Sequence, residues 1–373
     1  MKHELLIKML ENYGSTVVKT RAHDVDENER FPLETVAELA KYGLLGLPFD
    51  PKYGGVGADT KAYIDTVRIL SKYCATTGVI ISAHTSLCAH PIYQFGNENQ
   101  KLKYLPRLNS GASLGAFGLT EAGAGTDASS QQTKAVDCGD YYEITGNKIF
   151  ITNAGYADIY IIFAMTNPAL GLKGISAFIV EKGMEGFTVG PKEKKMGIRG
   201  SSTCELILQK VKVPKENALG APGEGFKIAM ATLDGGRIGI AAQALGIAEG
   251  AFERTVEYIK KRTQFGKPIA QFQHSQFVIA EMKTKIEAAR LLLYKAVSDK
   301  EEGKSYTESA AMAKLFASRT AVEVADQCIQ LLGGYGYIRD YEIERYLRDA
   351  KITEIYEGTS EVQKMVIAGK VLK

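Results

Sequence analysis

The apolar positions of this chain pass through three successive textures. Residues 1 to about 113 carry helix-forming runs, from MKHELLIKMLENYG at the N-terminus to PLETVAELAKYGLLG at 32–46, broken by the Gly- and Pro-rich loop PFDPKYGGVGAD at 48–59. From about 114 to 222 the runs become β-branched and aromatic, namely YYEITGNKIFIT, ADIYIIFAMT, ISAFIVEKG and STCELILQKVKVP, separated by Gly, Asn and Pro. Gly146 and Asn147 between two apolar runs predict a hairpin, and Pro214 with GAPGEG at 220–225 marks the exit from the β region. Long helical stretches then follow at roughly 226–262, 272–302 and 306–332, with shorter ones to the end. In the middle one, Ile279, Met282, Ile286, Ala289 and Leu293 recur at steps of three and four, an apolar stripe for bundle packing. Ser305 with Glu308 predicts a capping box for the last of these helices, and Gly333 with Gly334 its close.

These patterns give an α+β chain in three parts: an N-terminal helical domain over 1–113, a middle β-barrel or sandwich over 114–225, and a C-terminal four-helix bundle over 226–373. From Tyr73 to Asn97 no Lys, Arg, Asp or Glu occurs. Thr76, Thr77, His84, Ser86, His90 and Pro91 interrupt that stretch, so it reads as a buried helix and turn beside an apolar cavity, not as a membrane span.

Composition narrows the possible partners. With 46 Lys and Arg against 43 Asp and Glu, the net charge of +3 is too small to make nucleic acid the expected partner. The five cysteines are scattered, odd in number and without a CxxC pair, which predicts reduced thiols in a cytoplasmic setting. The five histidines lack metal-ligand spacing, and no P-loop, HExxH, GxSxG or GxGxxG string occurs, so no metal site is expected.

Two segments carry candidate chemistry. YEGTSE at 356–361 places Glu357 between an aromatic ring and a glycine, either as a turn or as a desolvated carboxylate suited to act as a general base. GLTEAGAGTDASS at 118–130 sets glycines among Thr120, Glu121, Thr126 and Asp127 at the α to β transition, a loop offering backbone N–H groups and hydroxyls together.

The 118–130 string resembles the first signature of the acyl-CoA dehydrogenase family. So, in order and spacing, do FIT at 150–152, KKMGIRGSST at 194–203, VPKENALG at 213–220, LDGGRIGIAAQALG at 233–246, RTQFGKPI at 262–269, QLLGGYGY at 330–337 and RDAKITEIYEGTSEVQ at 348–363. The overall pattern is most similar to the short-chain, butyryl-CoA dehydrogenase-like branch. The resemblance implies FAD as cofactor, with Phe117, Leu119, Thr120, Gly125 and Thr126 of the first loop and Phe150, Ile151 and Thr152 beside the flavin. Phe150 stands where many relatives have tryptophan, which keeps an apolar cover but loses an indole donor. It also implies that the 262–269 segment with Arg262, Gln264 and Phe265, and Gly333, reach a neighbouring subunit's FAD, hence a homo-oligomer, with a dimer of dimers expected, and that Phe272, Gln273, Gln330 and Gly334 belong to the same cofactor set. Taken alone, Arg262 would be a solvated helix end and the glycines a plain helix cap. Thr359 and Glu361 complete the implied cofactor set.

By the same resemblance Glu357 is the base that takes the α-proton of an acyl-CoA, with hydride passing to the flavin and electrons to an electron-transfer flavoprotein. Some branches place that carboxylate instead on the LDGGR helix, where this chain has Gly236. Asp234, Arg237, Thr126 and Gly358 are the substrate-side candidates, with helix N-terminal charge pairing as the other reading of Asp234 and Arg237. Enoyl-CoA or aryl-propenoyl-CoA reduction would use the same residues in reverse. A nucleic-acid-binding flavoprotein is a further alternative, and acyl-chain length is not legible in the linear pattern.

Overall fold

The computed structural model describes residues 2–372. Helices fill the chain from Lys2 to Asn109 and again from Gly225 to Val371, and strands lie between. The uncharged stretch is explained by its position: Ala75–Ser82, a wide π-helical segment Ala83–Ala89 and His90–Phe95 run as one almost wholly buried rod. Among the described residues no helix is long and apolar enough to cross a membrane.

The strands are β1 (Gly115–Gly118), β2 (Lys134–Asp137), β3 (Tyr141–Thr152), β4 (Ile159–Met165), β5 (Ile175–Glu181), β6 (Phe187–Lys192), β7 (Thr203–Pro214) and β8 (Ala218–Leu219). They form one sheet in the order β6-β7-β3-β2-β4-β5-β8, with β1 parallel to β4. Strand β4 is apolar at nearly every position because both of its faces are covered. Ile159, Ile161 and Phe163 pack with Leu105 and Leu108 from the helical domain, whereas Tyr160 and Ile162 pack with Leu206 and Leu208 of β7.

Two local expectations are corrected. No hairpin forms at Gly146 and Asn147; β3 runs through them, with a register shift against β7 between Ile144 and Gly146. A β-carbon at Gly146 would meet Thr133, Cα included at 2.6 Å, so the glycine serves close strand approach. The capping box from Ser305 and Glu308 is also absent, since the helix begins at Thr307 and its N-cap, Tyr306, supplies no side-chain bond. A hydrophilic string alone did not reveal which residue would turn the chain. Gly333 does close this helix, at φ +60°.

The 37-residue helix Gly225–Lys261 is the axis of the C-terminal bundle, which also holds Gln273–Glu301, Thr307–Leu332 and the shorter Ile343–Thr353 and Ser360–Val371. Met282, Ile286, Ala289 and Leu293 are buried in the shared core, with Ile279 packed at its edge. One face of the axial helix is lined with glycine. A β-carbon at Gly246 would overlap the Arg68 carbonyl oxygen and one at Gly250 the Lys72 carbonyl oxygen, so the Thr60–Tyr73 helix lies almost backbone to backbone against it. Ion pairs cross the same contact: Arg68 binds Glu249 at 2.7 Å and Lys72 binds Glu253 at 2.9 Å, while Arg290 reaches Glu249 from the Gln273–Glu301 helix at 2.8 Å. Such pairs cost desolvation and favour one register more than they add stability. Gly246→Val should therefore cost about 2 kcal/mol or more through overpacking. The measurement is urea unfolding, which should show a lower midpoint with an unchanged slope.

Candidate functional site

Glu357 sits in the turn between the Ile343–Thr353 and Ser360–Val371 helices. The backbone there is unusual, with Glu357 at φ +52° and Gly358 at φ +92°. A non-glycine residue in the left-handed region is held there by its surroundings. The Gly358 carbonyl accepts from Lys314 Nζ at 2.7 Å and from Gln363 Nε2 at 2.8 Å, and the Thr353 carbonyl accepts from Ser318 Oγ at 2.8 Å. Thr359 caps the last helix by accepting from the Val362 N–H at 3.3 Å, so part of its capacity is spent on the turn itself.

This backbone aims the carboxylate at the axial helix. A β-carbon at Gly236 would overlap Glu357 Oε2 and stand 3.0 Å from Leu87 Cδ2. The carboxylate thus occupies the space a side chain at position 236 would need. Although the residue keeps some exposure, Oε2 is sealed from solvent and has no hydrogen-bond partner. Burial pushes the Glu357 pKa up to about 7, against the opposing pull of Lys314 and Arg237. Among the described residues no group of the chain accepts from the Glu357 N–H. A dry, unpaired carboxylate oxygen and an open backbone donor therefore lie on one residue, which suits proton abstraction beside an oxygen that gains charge.

The neighbours fall into kinds. Tyr356 donates to Gln243 Oε1 and anchors the turn to the axial helix. Arg237 is buried and paired with Asp234, which also accepts from Thr307 Oγ1 at 2.7 Å, while Arg237 Nε is buried without a partner. The structure thus brings Asp234, Arg237, Gly236 and Gly358 around Glu357. Lys314 and Gln363, both fully buried, were not singled out by the motifs; the signal available was a lysine within the apolar AAMAKLFA run. Beside Gly235 lies a cavity of about 100 Å³ lined partly by Tyr63, Thr85, Ser86, His90 and Lys300.

The 118–130 loop is fastened by a buried pair. Lys148 Nζ donates to Glu121 Oε1 at 2.7 Å, to Gln131 Oε1 at 3.0 Å and to the Leu119 carbonyl at 3.1 Å. Glu121 is accordingly a structural member of the loop. Thr120 accepts from the Ile149 N–H at 2.9 Å, which ties the loop to β3 just before Phe150. Phe150 stands 62% exposed at φ +59°, with Ile151 buried next to it. A large ring held outward in a left-handed bulge offers a flat apolar wall, and open space surrounds Gly123 and Gly125 in the loop. Phe117 packs edge-on against Phe163 at 5.1 Å, while Thr126 is exposed.

A separate hollow of about 400 Å³ gathers Arg262, Gln264, Gln330, Gly333 and Gly334. Arg262 lies 5.3 Å over the Tyr335 ring, and no atom crowds the place of a β-carbon at either glycine. Phe265, 95% exposed, tips a small hairpin and meets Phe272 edge-on at 6.2 Å, just before Gln273 opens its helix. None of Thr120, Phe150 or Thr152 lines this hollow. Glu361 is exposed beside Lys364. Sequence thus assembles two groups of residues that this chain keeps apart.

Family models match residues 1–112 (acyl-CoA dehydrogenase, N-terminal domain), 116–211 (middle domain) and 223–372 (C-terminal domain). The short-chain specific acyl-CoA dehydrogenase of Clostridium acetobutylicum is 55% identical, covering 100% of this chain and 98% of the relative. The butyryl-CoA dehydrogenase structure from Megasphaera elsdenii superposes with a TM-score of 0.98 at 52% identity, covering 100% and 98% of the two chains. A chain in a structure concerning the electron transferring flavoprotein of Acidaminococcus fermentans gives the same TM-score of 0.98, at 52% identity and the same 100% and 98% coverage.

The raised pKa of Glu357 has a consequence for stability. The folded state binds this proton more tightly than the unfolded chain, whose carboxylate titrates at the ordinary 4.5. The stabilisation is fully present below that value and is lost as pH rises through about 7. Glu357→Gln should therefore be more stable than the parent near pH 8, by on the order of 3 kcal/mol, and no more stable near pH 4. Denaturant unfolding at the two pH values is the check.

Proposed function

The chain belongs to the acyl-CoA dehydrogenase family, and on that premise we propose that Glu357 removes the α-proton of a short-chain, butyryl-CoA-like acyl-CoA on the way to the trans-2-enoyl-CoA. The observation that carries this is the sealed, unpartnered Glu357 Oε2 over Gly236. An α-hydrogen beside a thioester is a weak acid, so its removal needs a base close by and a polarised carbonyl. Burial keeps Glu357 basic enough to take a proton near neutrality. Its N–H, without an acceptor among the described residues, would donate to the thioester oxygen as charge grows there.

The residues present suit FAD. Phe150, Ile151 and Thr152 with Phe117, Leu119, Thr120, Gly125 and Thr126 would hold the ring, Phe150 by its exposed face. Thr359 would add a hydroxyl from the base's own turn, and Glu361 a carboxylate beside it. When bound, FAD supplies the two-electron acceptor for the hydrogen leaving the β-carbon, and an electron-transfer flavoprotein takes the electrons onward. Arg262, with Gln330 and the open backbone of Gly333 and Gly334, suits a pyrophosphate. Gln264, Phe265, Phe272 and Gln273 stand on the exposed segment beside them. Because that hollow is separate from the Phe150 wall, we read it as serving a neighbouring subunit's FAD, which makes the active form a homo-oligomer, in our reading a dimer of dimers. Asp234, Arg237 and Gly358, with Thr126, would face the acyl-CoA.

The three regions 1–113, 114–225 and 226–373 are taken as its domains. Five unpaired cysteines favour a reducing, cytoplasmic setting. Near neutrality Glu357 holds its proton part of the time, so the same group can return one to an enoyl-CoA.

The test is anaerobic addition of butyryl-CoA to the flavin-loaded protein. The flavin absorbance should bleach, and Glu357→Gln should keep its flavin while bleaching at least 100-fold more slowly, within the roughly 100 to 10,000-fold range of a positioned base. Unimpaired bleaching in that variant would sink the assignment. A ladder of acyl-CoA lengths in the same assay sets the chain preference.

A further inference from the structure

We propose that Lys314 is a positioning residue for the base, which both holds the Glu357–Gly358 peptide in its left-handed turn and offsets the cost of placing a carboxylate in the dry site. The inference rests on Glu357 being the base, and it assigns a task to a lysine that has none so far.

Lys314 lies on the Thr307–Leu332 helix and is fully buried. A buried ammonium is costly unless something fixed requires it. Its hydrogen-bond partner is a backbone oxygen, that of Gly358 at 2.7 Å, and among the described residues it forms no carboxylate ion pair. Ser318, one helical turn further on, holds the Thr353 carbonyl at 2.8 Å. The helix therefore grips the turn at both ends of the segment that carries Glu357. Gln363 supplies a second donor to the Gly358 oxygen at 2.8 Å, so position alone could be kept by a neutral group. The charge at 314 needs another reason.

That reason lies in the groups facing Glu357. From the axial helix comes Arg237, paired with Asp234, from the Thr60–Tyr73 helix Tyr63, and from the turn Tyr356, while Glu354 and Glu361 act on Lys314 itself and favour its charge. Arg237 is already paired with Asp234, which leaves Lys314, among the described residues, as the cation without a carboxylate partner whose field acts on Glu357. Burial raises the Glu357 pKa, and Lys314 is the largest influence in the opposite direction. Burial likewise lowers Lys314 to about 8. The two groups therefore oppose each other's desolvation in the same dry space.

The experiment compares Lys314→Met, Lys314→Gln and Gln363→Leu in the flavin-loaded protein, following the rate of anaerobic flavin bleaching by butyryl-CoA against pH, with KM, flavin content and melting midpoint. Lys314→Met and Lys314→Gln are expected to move the acid limb of the profile upward by about one pH unit, which lowers the rate by about 10-fold on the acid side of the limb and by about 5-fold at pH 7, since one pH unit is a tenfold change in ionised base only well below its pKa. KM should stay within about threefold. Raising the pH should restore much of the lost rate. Gln363→Leu, which removes a donor but no charge, should slow bleaching without moving the limb. An unmoved limb in the Lys314 variants overturns the proposal, whether or not the rate falls, and so does an equal limb shift in Gln363→Leu. If Lys314→Met does not fold, Lys314→Gln decides alone, because it retains a donor for Gly358. Failure of the parent protein to bleach, or retained bleaching in Glu357→Gln, would instead remove the base assignment itself.

Discussion

The contact between the Glu357 carboxylate and the bare backbone of Gly236 is the constraint around which the rest of the site is arranged. A base for a weak carbon acid has to be poorly solvated, or it is too weak, yet must stay ionisable, or it holds its proton permanently. Seating the carboxylate on a helix face with no side chain gives the first condition. The second needs positive charge close enough to act through the low-dielectric interior and not so close that it forms a closed ion pair. Lys314, bound to a carbonyl, and Arg237, bound to Asp234, meet that description.

Close approach of this kind depends on the axial helix as a whole. Gly236, Gly239, Gly246 and Gly250 lie along one face, and each admits an atom of another segment where a β-carbon would stand. Gly239 receives Ser82 Oγ from the buried uncharged rod, and the last two receive carbonyls of the Thr60–Tyr73 helix. The packing that holds the N-terminal helices on the bundle therefore also sets the depth of the pocket wall. The ion pairs across that contact fix its register, which matters because sliding the Thr60–Tyr73 helix by a turn would move Tyr63 away from the base.

On the sheet side, the same logic appears with opposite chemistry. The Glu121–Lys148 pair is buried and closed, and its work is to hold a glycine-rich loop still while Phe150 projects from the adjoining bulge. Phe150 and Glu357 are two of the eight non-glycine residues held in the left-handed region among the described residues, and in the proposed reading they would flank the flavin and the acyl-CoA. Strain kept at both is consistent with groups oriented for a ligand and not for packing.

Much of this was legible in the linear chain. Apolar period predicted the order of helices, sheet and bundle, and the stripe from Ile279 to Leu293 faces the core as its spacing requires, because periodicity is a local property. The motifs also singled out Glu357 and Gly236 and anticipated that a carboxylate belongs at one position and none at the other. What they could not decide was long-range. The Gly146 turn became a strand crossing because Thr133 lies across it, a neighbour known only once the sheet is formed. The Ser305 and Glu308 pattern gave way to a start at Thr307, whose hydroxyl is spent on Asp234 of another helix. Lys314 carries no motif at all, and its meaning comes from a carbonyl 44 residues away. Residue types and local period determined the elements and the chemistry at hand, whereas only the tertiary structure decided which buried charges share one dry space, since electrostatic coupling depends on distance in space and on burial, and neither is written along the chain.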